Sequence, residues 1–255
     1  MKVLVEFHHV FLFMQKNNRM EVIALICCRG GSKSIPEKNI KEFCGKPLLG
    51  WALDHAVQSG VFDQIILSTD SQKIATVGEE YGAIIPGLRP DYLATSESDV
   101  FDTHKYVFNK LQITDKTHVV CILTNNPFIN SKLIREGYAI AKGANFNTIA
   151  LDVIKVGGDY LHFRHCYEKD GRLFFHDSEA MKKSGINRQS YESTYTSISN
   201  MRWGKPSVMI DYNIYKNEII QNGSLPIPLP KTRNFDLDDM DDWKIAEAVF
   251  SGLFL

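Results

Sequence analysis

Cys27-Cys28-Arg29-Gly30-Gly31-Ser32-Lys33-Ser34-Ile35-Pro36-Glu37-Lys38-Asn39 is the stretch on which the reading of this chain turns. An apolar run at 22–26 precedes it, and Gly45-Lys46-Pro47-Leu48-Leu49-Gly50-Trp51 opens a helical pattern after it. Strand, long basic glycine loop and helix together form an anion-binding layout. Adjacent Gly30 and Gly31 let the backbone approach an anion closely. Arg29, Lys33 and Lys38 bring three positive charges, and Ser32 and Asn39 add neutral donors. Two common phosphate fingerprints are excluded: Gly45-Lys46 is followed by Pro47, and no third glycine opens the helix.

Outward from the loop, hydrophobic spacing predicts a helix at 48–59 stopped by Gly60, a buried strand at 64–70, a helix at 71–81 stopped by Gly82, and a short strand at 83–86. Alternating strands and helices define a parallel sheet with helices on its faces. Ligands of such sheets gather beyond the strands' carboxyl ends, which would bring the glycine loop, Ser68-Thr69-Asp70 and Arg89-Pro90 together. A helix at 99–111, a strand at 118–123 with the loop Thr124-Asn125-Asn126-Pro127-Phe128, and a helix at 131–142 continue the pattern.

From 145 the texture changes. A strand is expected at 148–156, then hairpin segments at 160–165 and 173–175, forming a projecting lobe at about 153–206 whose aromatics suit a subunit interface. Another strand is expected at 207–215. The prolines of Leu225-Pro226-Ile227-Pro228-Leu229-Pro230 restrict that segment to a sheet edge or a connector. A final helix would bury Trp243, Ile245, Ala246, Val249 and Phe250. The expected fold is α/β: a Rossmann-like, mostly parallel sheet with helices on both faces and a small β-hairpin dimerisation lobe. Residues 20–255 make one domain after an N-terminal extension at 1–19.

Composition sets further bounds. With 255 residues, 44% hydrophobic and 23% charged, the chain can bury a large core, and a net charge of -1 leaves no broad basic field for nucleic acid. No stretch is long enough to span a membrane. Five cysteines, an odd number without metal-type spacing, fit a reducing compartment, here the cytoplasm. The apolar run at 10–14 has His8 and His9 before it and no small-residue cleavage site after it, so 1–19 reads as an extension, with a signal peptide the weaker alternative.

Five carboxylates crowd residues 236–242. Asp236 and Asp238 flank Leu237, so an extended backbone turns both to one face, where they can hold Mg²⁺. Asp239, Asp241 and Asp242 fit the start of the last helix instead. His104, His118, His162, His165 and His176 show no ligand spacing and read as structural or exposed. Asn187-Arg188-Gln189 is a candidate anion contact.

Arg29-Gly30-Gly31-Ser32-Lys33, Ile35-Pro36, Lys38-Asn39-Ile40 and Gly45-Lys46-Pro47-Leu48 together closely resemble the signature of the acylneuraminate cytidylyltransferases, the CMP-sialic acid synthetases and their relatives. Collinear matches continue through Leu67-Ser68-Thr69-Asp70, Arg89-Pro90, Leu93-Ala94, Pro127-Phe128, Asn187-Arg188-Gln189, Phe235-Asp236-Leu237-Asp238, Asp242-Trp243 and Ala246-Glu247. The resemblance implies that the anomeric hydroxyl of a nonulosonic acid attacks the α-phosphate of CTP, giving a CMP-sugar and pyrophosphate. It implies that Arg29, Lys33 and Lys38 act in catalysis, with Gly30, Gly31, Ser32, Asn39 and Arg89 around the nucleotide and Mg²⁺ on Asp236 and Asp238. It further implies a homodimer in which Arg188 and Gln189 reach the partner's site.

Departures from the family pattern fall on the sugar side. Leu123 stands where many sialic acid enzymes carry glutamine, beside Asn125 and Asn126, while Ser34 and Ser96 replace a common glycine and aspartate. Loss of an amide removes hydrogen bonds that discriminate a hydroxyl or N-acyl group, so the acceptor stays open among pseudaminic, legionaminic and other nonulosonic acids. Cys121-Ile122 and Phe43-Cys44-Gly45-Lys46-Pro47 resemble the pseudaminic acid branch. The alternatives are a CTP-binding protein without turnover and a nucleotidyltransferase for a different sugar acid.

Overall fold

The computed structural model describes residues 19–156, 166–169, 172–175, 194–233 and 235–254. In chain order the first elements are β1 (Glu21–Cys27), β2 (Glu42–Phe43), β3 (Lys46–Pro47), α1 (Leu48–Ser59), β4 (Gln64–Ser68), α2 (Gln72–Glu80), α3 (Val100–Leu111), β5 (His118–Leu123) and α4 (Ser131–Gly143). There follow β6 (Ala150–Val156), β7 (Cys166–Lys169), β8 (Arg172–Phe175), β9 (Thr194–Gly204), α5 (Tyr212–Asn222), β10 (Leu225–Leu229) and α6 (Met240–Phe254).

Six strands form one sheet in the order β10-β6-β9-β5-β1-β4. The continuous apolar run of β1 is buried on both faces because it lies inside the sheet, parallel to β4 on one side and β5 on the other. β10 also pairs in parallel with β6, whereas β9 runs antiparallel between β5 and β6. Helices α1 and α4 bury Leu49, Leu53, Leu133 and Ile134 on one face, and α3 and α5 bury Phe101, Val107, Phe108 and Tyr215 on the other.

Local chemistry sets the element ends. Gly60 closes α1 with φ at 66°, a left-handed value that glycine adopts without the Cβ clash other residues meet. Asp99 caps α3 by accepting the Phe101 N–H, and Asn130 caps α4 by accepting the Leu133 N–H. Each such cap stabilises its helix by about 1 kcal/mol. In β10 the Leu225 N–H reaches the Ile149 carbonyl, so Pro226 and Pro228 take the outward positions of an edge strand while Ile227 and Leu229 are buried.

A third cluster decides what the sheet presents. Ile35 of the glycine loop, Phe43, Leu48, Phe128, Leu237, Trp243, Ala246 and Phe250 pack together at the carboxyl edge. Edge-on contacts of Phe43 with Trp243 (5.2 Å) and Phe250 (5.3 Å) lock it. The glycine loop and the acidic segment, some two hundred residues apart in sequence, are thereby anchored to one apolar patch.

Several expectations are corrected. The strand at 83–86 reduces to a single parallel bridge between Ile66 and Ile84, because Pro86 offers no further N–H to a ladder. The strand at 207–215 is a short 3-10 turn, Pro206–Val208, followed by α5, whose Asp211 side chain accepts the Asn213 and Ile214 N–H groups and so starts a helix. The lobe bounds of 153–206 take in the end of β6 and all of β9, which belong to the central sheet because β9 bonds to both β5 and β6. Between them the described hairpin is β7–β8, separate from that sheet. Ile245 is exposed, since α6 turns Trp243, Ala246 and Phe250 inward. The extension at 1–19, apart from Arg19, lies outside the described residues, as do His162, His165 and His176.

Candidate active site

β1 ends at Cys27 and the chain turns into the glycine loop. The Gly30 N–H donates to Asp70 Oδ1 at 3.0 Å, which ties the loop to the carboxyl end of β4. A Cβ at Gly30 would stand 3.0 Å from Ser71 Cβ, a tight contact that favours glycine here. Gly31 faces open space. Among the described residues the N–H groups of Gly31 and Lys33 have no protein acceptor, and the Lys33 and Lys38 ammonium groups form no ion pair. Unpartnered N–H groups and lysines on one short loop make a positive surface suited to phosphate oxygens.

Arg29 donates through Nη1 to the Thr95 carbonyl at 3.0 Å, which holds its guanidinium beside the loop. Arg89 lies deeper and is 7% exposed. Its Nη2 reaches Asp70 Oδ1 at 3.4 Å and its Nη1 reaches Thr103 Oγ1 at 3.3 Å, so it braces the carboxylate that receives the Gly30 N–H. Asp70, placed near the loop by its position at the end of a strand, is thus the residue that ties the loop to β4.

Asn39, expected beside the nucleotide, sits beneath the glycine loop and helps to position it. It is buried, its Nδ2 donates to the Arg29 carbonyl at 2.8 Å, and its Oδ1 accepts from Asn125 Nδ2. Asn126, also buried, donates through Nδ2 to the Phe235 carbonyl at 2.8 Å and accepts the Phe128 N–H at 2.9 Å. Side-chain amides therefore run from the glycine loop through Asn39, Asn125 and Asn126 to the residue beside Asp236. Leu123, expected at the sugar, is 4% exposed and its side chain packs in the main core. Arg188 and Gln189 lie outside the described residues.

In the acidic segment Leu237 is buried while Asp236 and Asp238 are exposed, the alternation expected of an extended chain. Neither carboxylate has a hydrogen bond or ion pair among the described residues, leaving four oxygens for a hard cation. No group of three or more acidic, His or Cys side chains suited to a metal occurs among those residues. Two carboxylates completed by phosphate oxygens are a sufficient set for Mg²⁺. Asp239 and Asp242 instead form a reciprocal helix cap. Asp239 Oδ1 accepts the Asp241 and Asp242 N–H groups, and Asp242 Oδ2 accepts those of Asp238 and Asp239.

With this geometry in view, the chain belongs to a defined class: residues 23–164 match the cytidylyltransferase family model, and the chain is a member of that family. The pseudaminic acid cytidylyltransferase of a Campylobacter jejuni serotype O:2 strain is 37% identical over 91% of this chain and 97% of that protein. The CMP-N,N'-diacetyllegionaminic acid synthase of Legionella pneumophila is 35% identical over 54% of this chain and 60% of that protein. Among solved structures, the CMP:2-keto-3-deoxy-manno-octonic acid synthetase complexed with CTP superimposes with a TM-score of 0.65 at 11% identity, covering 91% of this chain and 99% of that one. At that identity the likeness shows the shared α/β fold.

Proposed function

We propose that this chain joins CTP to a nonulosonic acid, pseudaminic acid foremost, releasing pyrophosphate and a CMP-sugar. The observation that carries the acceptor class is the end-to-end similarity to the Campylobacter pseudaminic acid enzyme; the geometry supports the nucleotide half. Arg29, Lys33 and Lys38 neutralise the triphosphate, and N–H groups at Gly31 and Lys33 hold its oxygens. Charge builds on those oxygens during phosphoryl transfer, so cations positioned beforehand lower the barrier. Asp236 and Asp238 would hold Mg²⁺, which when bound supplies further charge neutralisation at the phosphates. The Asn39-Asn125-Asn126 chain fixes the spacing of loop, acceptor segment and carboxylates.

Pyrophosphate release from CTP with Mg²⁺ across a panel of nonulosonic acids tests this. Turnover is expected with pseudaminic acid; no release with any of them, or equal rates with UTP, refutes the reading. A CTP-binding protein without turnover is disfavoured, because Lys33, Lys38, Asp236 and Asp238 have no ion-pair partner among the described residues and so are all available to ligands. A homodimer is part of the proposal, supported by exposed Leu173 and Phe174 on the β7–β8 hairpin and tested by sedimentation. Cytoplasmic placement rests on the free thiols of Cys27, Cys28, Cys44 and Cys121. No helix among the described residues is long and apolar enough to cross a membrane.

A further inference from the structure

β9 does not run straight past β6. The pairing shifts register between Leu151 and Val153, and Ser199 takes a positive φ of 54°. Buried Asp152 occupies the irregularity: its Oδ2 accepts the Asn200 N–H at 3.1 Å and its Oδ1 accepts the Met201 N–H at 3.2 Å. Burial pushes its pKa up to about 6, against the pull of those N–H groups and Arg202. Irregular pairing of this kind re-aims a side chain next to a site.

The residue turned here is Asn200. Its carbonyl accepts the Thr124 N–H at 2.9 Å, and its Oδ1 accepts the Thr124 hydroxyl at 2.9 Å. With Oδ1 so engaged, Nδ2 keeps two hydrogens that have no partner among the described residues, on a side chain that is partly exposed. Thr124 opens the acceptor loop, and the next residue, Asn125, bonds to Asn39 under the glycine loop. Asn200 therefore stands across the acceptor loop from the triphosphate surface, where a sugar reacting at the α-phosphate must extend. Charges nearby offset one another, Asp152 beneath Asn200 and Arg202 two residues on, so the spot favours a neutral group over a carboxylate.

We propose that Asn200 is a specificity-determining residue for the acceptor, its Nδ2 donating to a neutral oxygen of the sugar, either a hydroxyl or an N-acyl carbonyl. Asp152 acts through it as a positioning residue. The inference rests on the cytidylyl-transfer reading above and adds a contact that neither the loop motif nor the acidic segment contains.

Steady-state kinetics of the full chain test it, with CTP and Mg²⁺, using pseudaminic acid and an ulosonic acid that carries hydroxyls but no N-acyl group. Asn200→Ala should raise the acceptor KM about three- to tenfold, the effect of one neutral hydrogen bond, with the CTP KM unchanged. Asn200→Asp keeps the Thr124 contact and overall shape but lacks the donor, so it should show the same acceptor-side loss even if the alanine variant folds poorly. A loss confined to the N-acylated acceptor assigns the carbonyl, and an equal loss with both assigns a hydroxyl; either supports the proposal. Acceptor KM within about twofold of wild type in both variants, or a matching rise in the CTP KM, overturns it. Wild-type protein that turns over no ulosonic acid at all removes the underlying reading and the inference with it.

Discussion

Asn126→Ala tests whether the amide chain couples the acceptor loop to the carboxylate segment. The side chain is 6% exposed and makes two bonds, to the Phe128 N–H at 2.9 Å and to the Phe235 carbonyl at 2.8 Å. Truncation leaves the buried Phe128 N–H without this acceptor, at about 1–3 kcal/mol, and the partly buried Phe235 carbonyl without this donor, at about 1 kcal/mol. The total, about 2–4 kcal/mol, corresponds in a chain of 255 residues to a fall in Tm of about 5–12 °C. Phe235 precedes Asp236, so its loosening should act on metal use. Under conditions where the variant remains folded, the Mg²⁺ midpoint for pyrophosphate release should rise more than the CTP KM does. Differential scanning calorimetry and a Mg²⁺ titration read the two effects. A Tm within about 2 °C of wild type would refute the energetic argument, and an unchanged Mg²⁺ midpoint would refute the coupling.

Lys33→Ala should lower turnover by about a hundredfold or more while urea unfolding stays within about 0.5 kcal/mol of wild type, because the exposed ammonium has no partner among the described residues; near-normal turnover would remove it from the chemistry. Asp238→Asn should weaken Mg²⁺ dependence with little change in stability. Asp242→Ala should do the reverse, costing about 1 kcal/mol through the lost cap, and isothermal titration and calorimetry separate the two. His104 is buried with Nδ1–H on the Met209 carbonyl at 2.8 Å, and burial holds its pKa down at about 4. Stability is therefore lost as pH falls from about 6.5 toward 4. Asp152, raised to about 6 by burial, acts oppositely, since acidification relieves the cost of its ionised form. His104→Gln, able to keep the Met209 bond, should recover about 2–3 kcal/mol at pH 4.5 relative to pH 7 in urea unfolding; no difference would show that His104 is not the acid-sensitive group.

Much of the architecture was readable from local signals. β1, β4, β5 and helices α1 to α4 follow hydrophobic period and caps, with Gly60, Asp99 and Asn130 at the ends where those residue types belong. β9 escaped because its Thr194–Gly204 run is polar and buries mainly Met201 and Trp203, so its pattern resembles a loop until neighbours on both sides complete its hydrogen bonds. The helix Tyr212–Asn222 escaped because the apolar triplet 208–210 dominates a short window, whereas the Asp211 cap decides the conformation.

The sequence by itself determined the strand-loop-helix framework, the cationic glycine loop and the separation of Asp236 and Asp238 from the helix-capping acids. Periodicity, glycine placement and charge are local properties, available before the chain folds. Only the tertiary structure decided that Asn39 is bonded to the Arg29 carbonyl, that Leu123 belongs to the core, that Arg89 braces the Asp70 carboxylate, and that Asp152 receives the Asn200 and Met201 N–H groups. Hydrogen-bond partners and burial are set by residues distant in sequence. The cluster joining Ile35 to Leu237 is the physical reason that a basic loop and an acidic segment from opposite ends of the chain are anchored to one apolar patch.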